Sequence, residues 1–227
     1  MQYEEIIEKL ESLRKPENVE GMARFGIRPE TKVYGVPIPE LRKIAKLVKK
    51  NHELALKLWD SRIHEARILA GMIADSEKLT VSQIKKWVSD FDSWDVCDQV
   101  CMNLLSKSKI AKNQIFEFAR SKEEFVKRTA FALMAALAVH DKKMKDKDFT
   151  DFFPLIKNAA TDERNFVKKS VNWALRQIGK RNKKLNKEAV KLAKEIQKIE
   201  SKSAKWIASN ALSELGDEKI LKRIKND

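Results

Sequence analysis

Apolar residues recur at intervals of three and four along almost the whole chain, the spacing that gives each of a succession of helices one buried stripe. Leu41, Ile44, Ala45 and Val48 form such a stripe behind Pro39, which suits a first helical turn because amides there have no intrahelical partner. Thr80 and Gln83 make a capping-box pattern ahead of Ile84, Trp87 and Val88, and Ser93 is placed to cap a helix starting at Trp94. Gly179 and Gly216 mark helix ends, and Pro154 predicts an end or kink to a helix begun near Asp146.

Several of these helices resemble one another. Phe125-Val126-Lys127-Arg128-Thr129-Ala130 aligns with Phe166-Val167-Lys168-Lys169-Ser170-Val171 and with Ser203-Ala204-Lys205-Trp206-Ile207-Ala208, and His64-Glu65-Ala66-Arg67-Ile68-Leu69 is a weaker earlier copy. Arg128 precedes Lys169 by 41 residues and Lys169 precedes Trp206 by 37. Two helices and two turns fill about 40 residues, the period of HEAT and armadillo arrays. The 61 residues from Arg67 to Arg128 leave room for one shorter unit containing Trp94. Six glycines and five prolines in 227 residues are too few for a sheet-rich fold, and the glycines are too scattered for a phosphate-cradling loop. The expected fold is all-α: one domain over residues 1–227, a right-handed α-solenoid of HEAT-like repeats with a concave basic surface. An irregular helical bundle is the alternative.

Charge divides this array unevenly. Residues 1–100 carry 17 basic and 17 acidic residues, so the whole net charge of +14 lies in the remainder. That asymmetry fits either a polyanion-binding surface or lysine-rich solvated helix faces. The longest apolar run, Ala130 to Val139, is too short to span a bilayer, and the acidic, amphipathic start MQYEEIIEKL does not read as a signal peptide. Cys97 and Cys101, one turn apart, suit buried thiols, and His52, His64 and His140 lack metal-ligand spacing. The expectation is a cytoplasmic protein without metal or membrane association.

Three residues depart from the repeat pattern. Trp173 stands where aligned copies have Gly71, Ala132 and Asn210, flanked on its helix face by Lys169, Arg176 and Lys180. A ring in a basic stripe can lie against a sugar or base while the cations meet phosphates, or it can pack beneath snorkelling lysines. Asp98 falls one turn beyond Trp94, between Met102 and Leu105. A carboxylate among apolar neighbours suits a general base or a cation stabiliser, or else it is bonded to a helix terminus or an arginine. Arg128 aligns with Arg67 and Lys169, predicting a row of cations along one edge that could track a phosphate backbone; Arg67, in the neutral half, could instead pair with internal acids.

Taken together, Trp94, Asp98, Arg128 and Trp173 on a short helical array resemble the AlkD family of alkylpurine DNA glycosylases, over nearly the whole chain. Gly21-Met22-Ala23-Arg24-Phe25 and Tyr34-Gly35-Val36-Pro37-Ile38-Pro39-Glu40-Leu41-Arg42 are similar to the family's opening motifs. Ser93-Trp94-Asp95-Val96-Cys97-Asp98 resembles its Trp-Asp-x-x-Asp motif, and Lys127-Arg128-Thr129-Ala130 and Asn172-Trp173-Ala174-Leu175-Arg176 resemble the two later ones. The resemblance implies a monofunctional glycosylase that excises N3- and N7-alkylated purines from double-stranded DNA without enclosing the base in a pocket. It implies catalytic roles for Asp98, Trp94, Arg128 and Trp173, and phosphate contact by Arg176. Lys169, Lys180 and Phe25 are the further expected DNA contacts, Phe25 standing where the family commonly has Tyr. No cofactor is expected, and a monomer suffices for the scheme. Two other readings stay open: a non-catalytic HEAT-repeat protein that recognises bent or branched DNA, and a protein-binding scaffold.

Overall fold

The computed structural model describes residues 1–224. Among the described residues the regular structure is helical, with an isolated parallel bridge between Lys32 and Ile63. The chain divides into two compact units, residues 1–110 and residues 111 onward.

The first unit holds α1 (Tyr3–Ser12), α2 (Pro16–Arg24), α3 (Ile38–Val48), α4 (His52–Asp60), α5 (His64–Ile73), α6 (Val81–Ser89) and α7 (Trp94–Asn103). Pro39 lies in the first turn of α3 as the sequence predicts, and the Thr80 hydroxyl accepts from the Gln83 amide at 3.1 Å, one half of the expected capping box. Ser93 occupies the cap position of α7, but its side chain makes no capping bond. α5 is the hub: α3, α4 and α7 pack on it, and its residues from His64 to Gly71 are all buried. A Cβ on Gly71 would lie 2.9 Å from Val100 Cγ2, so the small residue at this repeat position lets α7 approach α5. α6 and α7 supply the shorter unit expected around Trp94.

The second unit begins within α8 (Lys109–Asn113) and continues through α9 (Ile115–Phe118), α10 (Glu124–His140), α11 (Asp146–Thr150), α12 (Phe153–Ala159), α13 (Asn165–Gly179), α14 (Lys183–Gln197), α15 (Lys202–Leu215) and α16 (Glu218–Arg223). Pro154 acts as its fixed φ requires: the helix from Asp146 ends at Thr150, and Pro154 lies in the first turn of the next. The aligned copies become a row in which α10 packs on α13 and α13 on α15, with α9, α12 and α14 backing them. Equivalent positions meet across the row, as the Phe125 and Phe166 rings stack with centroids 5.7 Å apart. The apolar run of the sequence is the buried interior of α10, and no described helix is long and apolar enough to cross a membrane.

One residue ties the starts of these three helices together. Asp162 accepts from Arg164 Nη2 at 2.6 Å and from Lys127 Nζ at 3.0 Å, and its carbonyl accepts from the Ser203 hydroxyl at 2.8 Å. Burial alone would raise its pKa, but the Arg164 and Lys127 cations outweigh that and hold it at about 2.

Candidate nucleic-acid interface and catalytic carboxylate

The opening motif Tyr34-Gly35-Val36 folds around Glu65, the second residue of α5. Glu65 Oε1 accepts from the amides of Gly35 at 2.6 Å and Val36 at 3.2 Å, and Oε2 accepts from Tyr34 at 3.0 Å, all in the interior. Gly35 has φ +78°, and a Cβ there would collide with the Lys15 carbonyl, so the motif requires glycine. Asn18 Nδ2 on α2 donates to the Gly35 carbonyl at 2.8 Å. The motif is thus a backbone cradle for a buried anion, and it locks α2 to α5.

The neighbouring residue forms a pair that the sequence does not reveal. His64 Nε2 lies 2.8 Å from Asp95 Oδ2, with the histidine only 1% exposed. The spacing of 31 residues hides it: each partner opens or nearly opens a helix, and α5 and α7 bring those first turns together. A recess of about 340 Å³, lined in part by Met22, Phe25, Ile27, Pro37 and Ile68, lies in front of the pair. Burial alone would lower the His64 pKa, but the Asp95 hydrogen bond and charge override it and leave it raised. Burial would likewise raise Asp95, and the histidine overrides that to leave it lowered. Asp95's contribution to stability is complete above its ordinary value of 3.8 and is lost as pH falls through the lowered value. That of His64 is complete below 6.5 and is lost as pH rises through the raised value. Thermal unfolding of the wild type from about pH 5 to about pH 9 is therefore expected to show a decline that His64→Gln lacks. A parallel decline in both proteins would place the pH dependence elsewhere.

Trp94 and Asp98 stand one turn apart on α7 and are both half-buried. The Trp94 indole donates to the Phe25 carbonyl at 3.1 Å, which fixes the ring against the end of α2. Phe25 itself is 73% exposed, its phenyl ring standing in solvent. Arg67 resolves toward its internal alternative. It is buried, its Nη1 donates to the Asp90 carbonyl at 3.1 Å and lies 3.8 Å from Asp92 Oδ2, and its guanidinium covers the Trp59 ring.

In the second unit, Arg128 is also buried, and its Nη1 donates to the Phe166 carbonyl at 2.6 Å, in the first turn of the next repeat helix. The predicted row of cations is therefore not a solvent-exposed row, since of Arg67, Arg128 and Lys169 only Lys169 is exposed. Arginines at the two buried positions bridge backbone carbonyls, which their multiple donors suit. Trp173 is half-buried on α13. With the Gln177 amide turned to face its donors, its oxygen accepts from Trp173 Nε1 at 3.2 Å and from Lys180 Nζ at 3.3 Å. Arg176 and Lys180 both bind Glu214 on α15, two cations sharing one carboxylate. No local pattern marks Glu214 as their partner, because it lies 38 residues beyond Arg176 and one repeat on. Trp206 occupies the repeat position of Arg128 and Lys169; it is 41% exposed, with Lys168 Nζ 5.2 Å from its ring centroid.

Cys97 and Cys101 are buried, reduced thiols, and the described residues contain no group of three or more side chains that could hold a metal ion. The fold is that of the HEAT-like repeat proteins. A solved structure described as "a new family of proteins related to the HEAT-like repeat DNA glycosylases with affinity for branched DNA structures" matches with a TM-score of 0.77. The match covers 92% of this chain and 93% of that one at 23% identity. The profile of the family described as DNA alkylation repair enzyme matches residues 6–215, and the chain belongs to that family. Lin0241 of Listeria innocua serovar 6a is 22% identical over 200 residues, 87% of each chain. Lmo0209 of Listeria monocytogenes serovar 1/2a is 29% identical over 108 residues, 46% of this chain and 48% of that protein.

Proposed function

We propose that the protein is a monofunctional glycosylase that releases N3- and N7-alkylated purines from double-stranded DNA by hydrolysis, with neither a metal nor an organic cofactor. The observation that carries this reading is the half-buried carboxylate of Asp98 one turn from the anchored Trp94, in a chain of the DNA alkylation repair family. Alkylation at N3 or N7 makes the purine cationic, so it departs without a protonating acid. Cleavage of the glycosidic bond then develops oxocarbenium character on the deoxyribose, as in glycoside hydrolysis. In this scheme Asp98 stabilises that charge and orients the attacking water, whose oxygen bonds to the sugar carbon as the purine leaves with the bond pair. Trp94 offers an electron-rich face to the cationic nucleotide. In the second unit Trp173 is assigned a like role, and Arg128, turned inward onto the Phe166 carbonyl, is assigned to positioning the start of the helix that carries it. Phe25, Lys169, Arg176 and Lys180 are assigned to DNA contact.

The test is single-turnover base release from duplex DNA carrying N7-methylguanine. Release by the wild type supports the reading. Absence of release with tight duplex or junction binding selects the second reading, a non-catalytic protein that binds branched DNA, which the properties stated for its structural neighbour favour.

Glu214 bears directly on the phosphate contacts. It neutralises one of the two cations beside Trp173, so Glu214→Gln is expected to tighten duplex binding and steepen its salt dependence by about one phosphate contact. Arg176→Ala should weaken binding and flatten that slope by about as much. Unchanged slopes in titrations against salt would place both residues off the DNA.

A further inference from the structure

The chemistry proposed above leaves α14 unused. Its buried residues, Leu185, Ala189, Leu192, Ala193 and Ile196 among them, belong to the packing against α13 and α15. Its exposed side carries Lys183, Lys184, Lys187, Lys191, Lys194 and, at the C-cap, Lys198. At roughly 100° per residue these six fall within an arc of about 100°, centred opposite the buried residues. They follow one another at helical neighbour spacing over about 22 Å.

Two acids flank them, both outside the arc. Glu188 is exposed within about a turn of Lys184 and Lys191. Glu195 binds Lys157 Nζ at 2.7 Å. Among the described residues no ion pair engages Lys183, Lys187, Lys191, Lys194 or Lys198. The patch continues onto α11, where Lys145 and Lys147 are exposed. The acids there already have partners: Asp146 Oδ1 accepts from Asn182 Nδ2 at 2.8 Å, and Asp148 Oδ2 accepts from the Lys145 amide at 3.1 Å. Trp173 projects from the side of α13 opposite the buried Val167, Val171, Leu175 and Ile178, and the α14 lysines project from the side of their own helix opposite its buried residues. The lysine arc and Trp173 thus belong to different helices, each on the side away from its own buried stripe.

We propose that the lysine face of α14 is a second nucleic-acid surface, which binds the phosphate backbone of a duplex segment other than the one engaged at Trp173. The proposal rests on the reading of the protein as DNA-binding but not on base excision. A regular line of point charges without base-reading side chains suits sequence-independent backbone contact. An interfacial membrane helix would need exposed apolar residues to insert, and the arc has none.

The experiment uses the full chain and two short duplexes bearing different fluorophores, with energy transfer between them reporting joint occupancy of one protein. Wild type is expected to bring the two together. The triple variant Lys187→Glu, Lys191→Glu, Lys194→Glu should bind the first duplex within about twofold of wild type while its affinity for the second falls at least about tenfold. The salt slope of the second event should flatten by about two to three. The neutral variant with Gln at the same three positions should fall between the two, which separates lost attraction from introduced repulsion. Joint occupancy unchanged in the triple variant would overturn the proposal. So would an equal loss of both duplexes, or lysine-dependent binding to phosphatidylserine vesicles without energy transfer. Base release distinguishes this from failure of the glycosylase reading: transfer without release refutes only the enzyme, and release without transfer refutes only the second surface.

Discussion

Asp98→Asn is expected to lower the single-turnover rate of base release about 10³-fold while leaving duplex affinity within about twofold of wild type. The substitution keeps the size and planarity of the side chain and removes its negative charge. In the proposed reaction that charge faces a cation present only as the glycosidic bond breaks, so its loss raises the barrier without weakening ground-state binding. A 10³-fold fall corresponds to about 4 kcal/mol of transition-state stabilisation, the size expected of one oriented electrostatic group in a partly dehydrated site. Asp98→Glu sharpens the test, because it restores the charge about one bond length out of place and should recover part of the rate. Equal losses of affinity and rate in Asp98→Asn, accompanied by a lowered melting temperature, would assign the carboxylate to the fold instead.

The largest effect on stability is expected at Glu65, two residues before Arg67 on the same buried helix. Glu65→Ala strands the amides of Tyr34, Gly35 and Val36 in the interior, and each unsatisfied buried donor costs about 1–3 kcal/mol. A loss of about 3–5 kcal/mol is expected once partial hydration is allowed for, and it should lower the melting temperature by about 6–15 °C. Glu65→Gln keeps one carbonyl acceptor and should lose less than half as much. The same loop is tied to α2 through Asn18, so the damage should reach Phe25 and the indole anchor of Trp94. Melting within about 1 °C of wild type would mean that the cradle amides find water when the carboxylate is gone.

The repeats were the most legible feature of the chain. Positions aligned across 37 to 41 residues became a row of packed helices because each must bury the same apolar stripe against its neighbour, and the Phe125–Phe166 stack shows that register directly. Helix starts were legible where a local bond makes them, as at Thr80, and less so at Ser93, whose hydroxyl does not form the bond its position allows. The candidates at Trp173 and Asp98 stand out in the sequence because one interrupts the repeat and the other sets a carboxylate one turn from an aromatic. Internal partnerships do not. His64 and Asp95, Glu65 and the Tyr34–Val36 amides, and Arg176 and Glu214 each join residues 29 to 38 positions apart. They depend on which helices face one another, which hydrophobic periodicity does not specify. Hence the aligned cations looked like an exposed row, although Arg67 and Arg128 point into the protein.

The two cysteines give α7 its own reporter. Cys97 directly precedes Asp98 and Cys101 follows it by less than a turn, and both are wholly shielded from solvent. A thiol reagent can reach them only when α7 parts from its neighbours, so the labelling rate of native protein measures how often the helix that positions the carboxylate opens. DNA that holds α7 in place would slow that chemistry, and the degree of slowing would give the coupling between substrate engagement and the integrity of this one helix, without a label of any other kind.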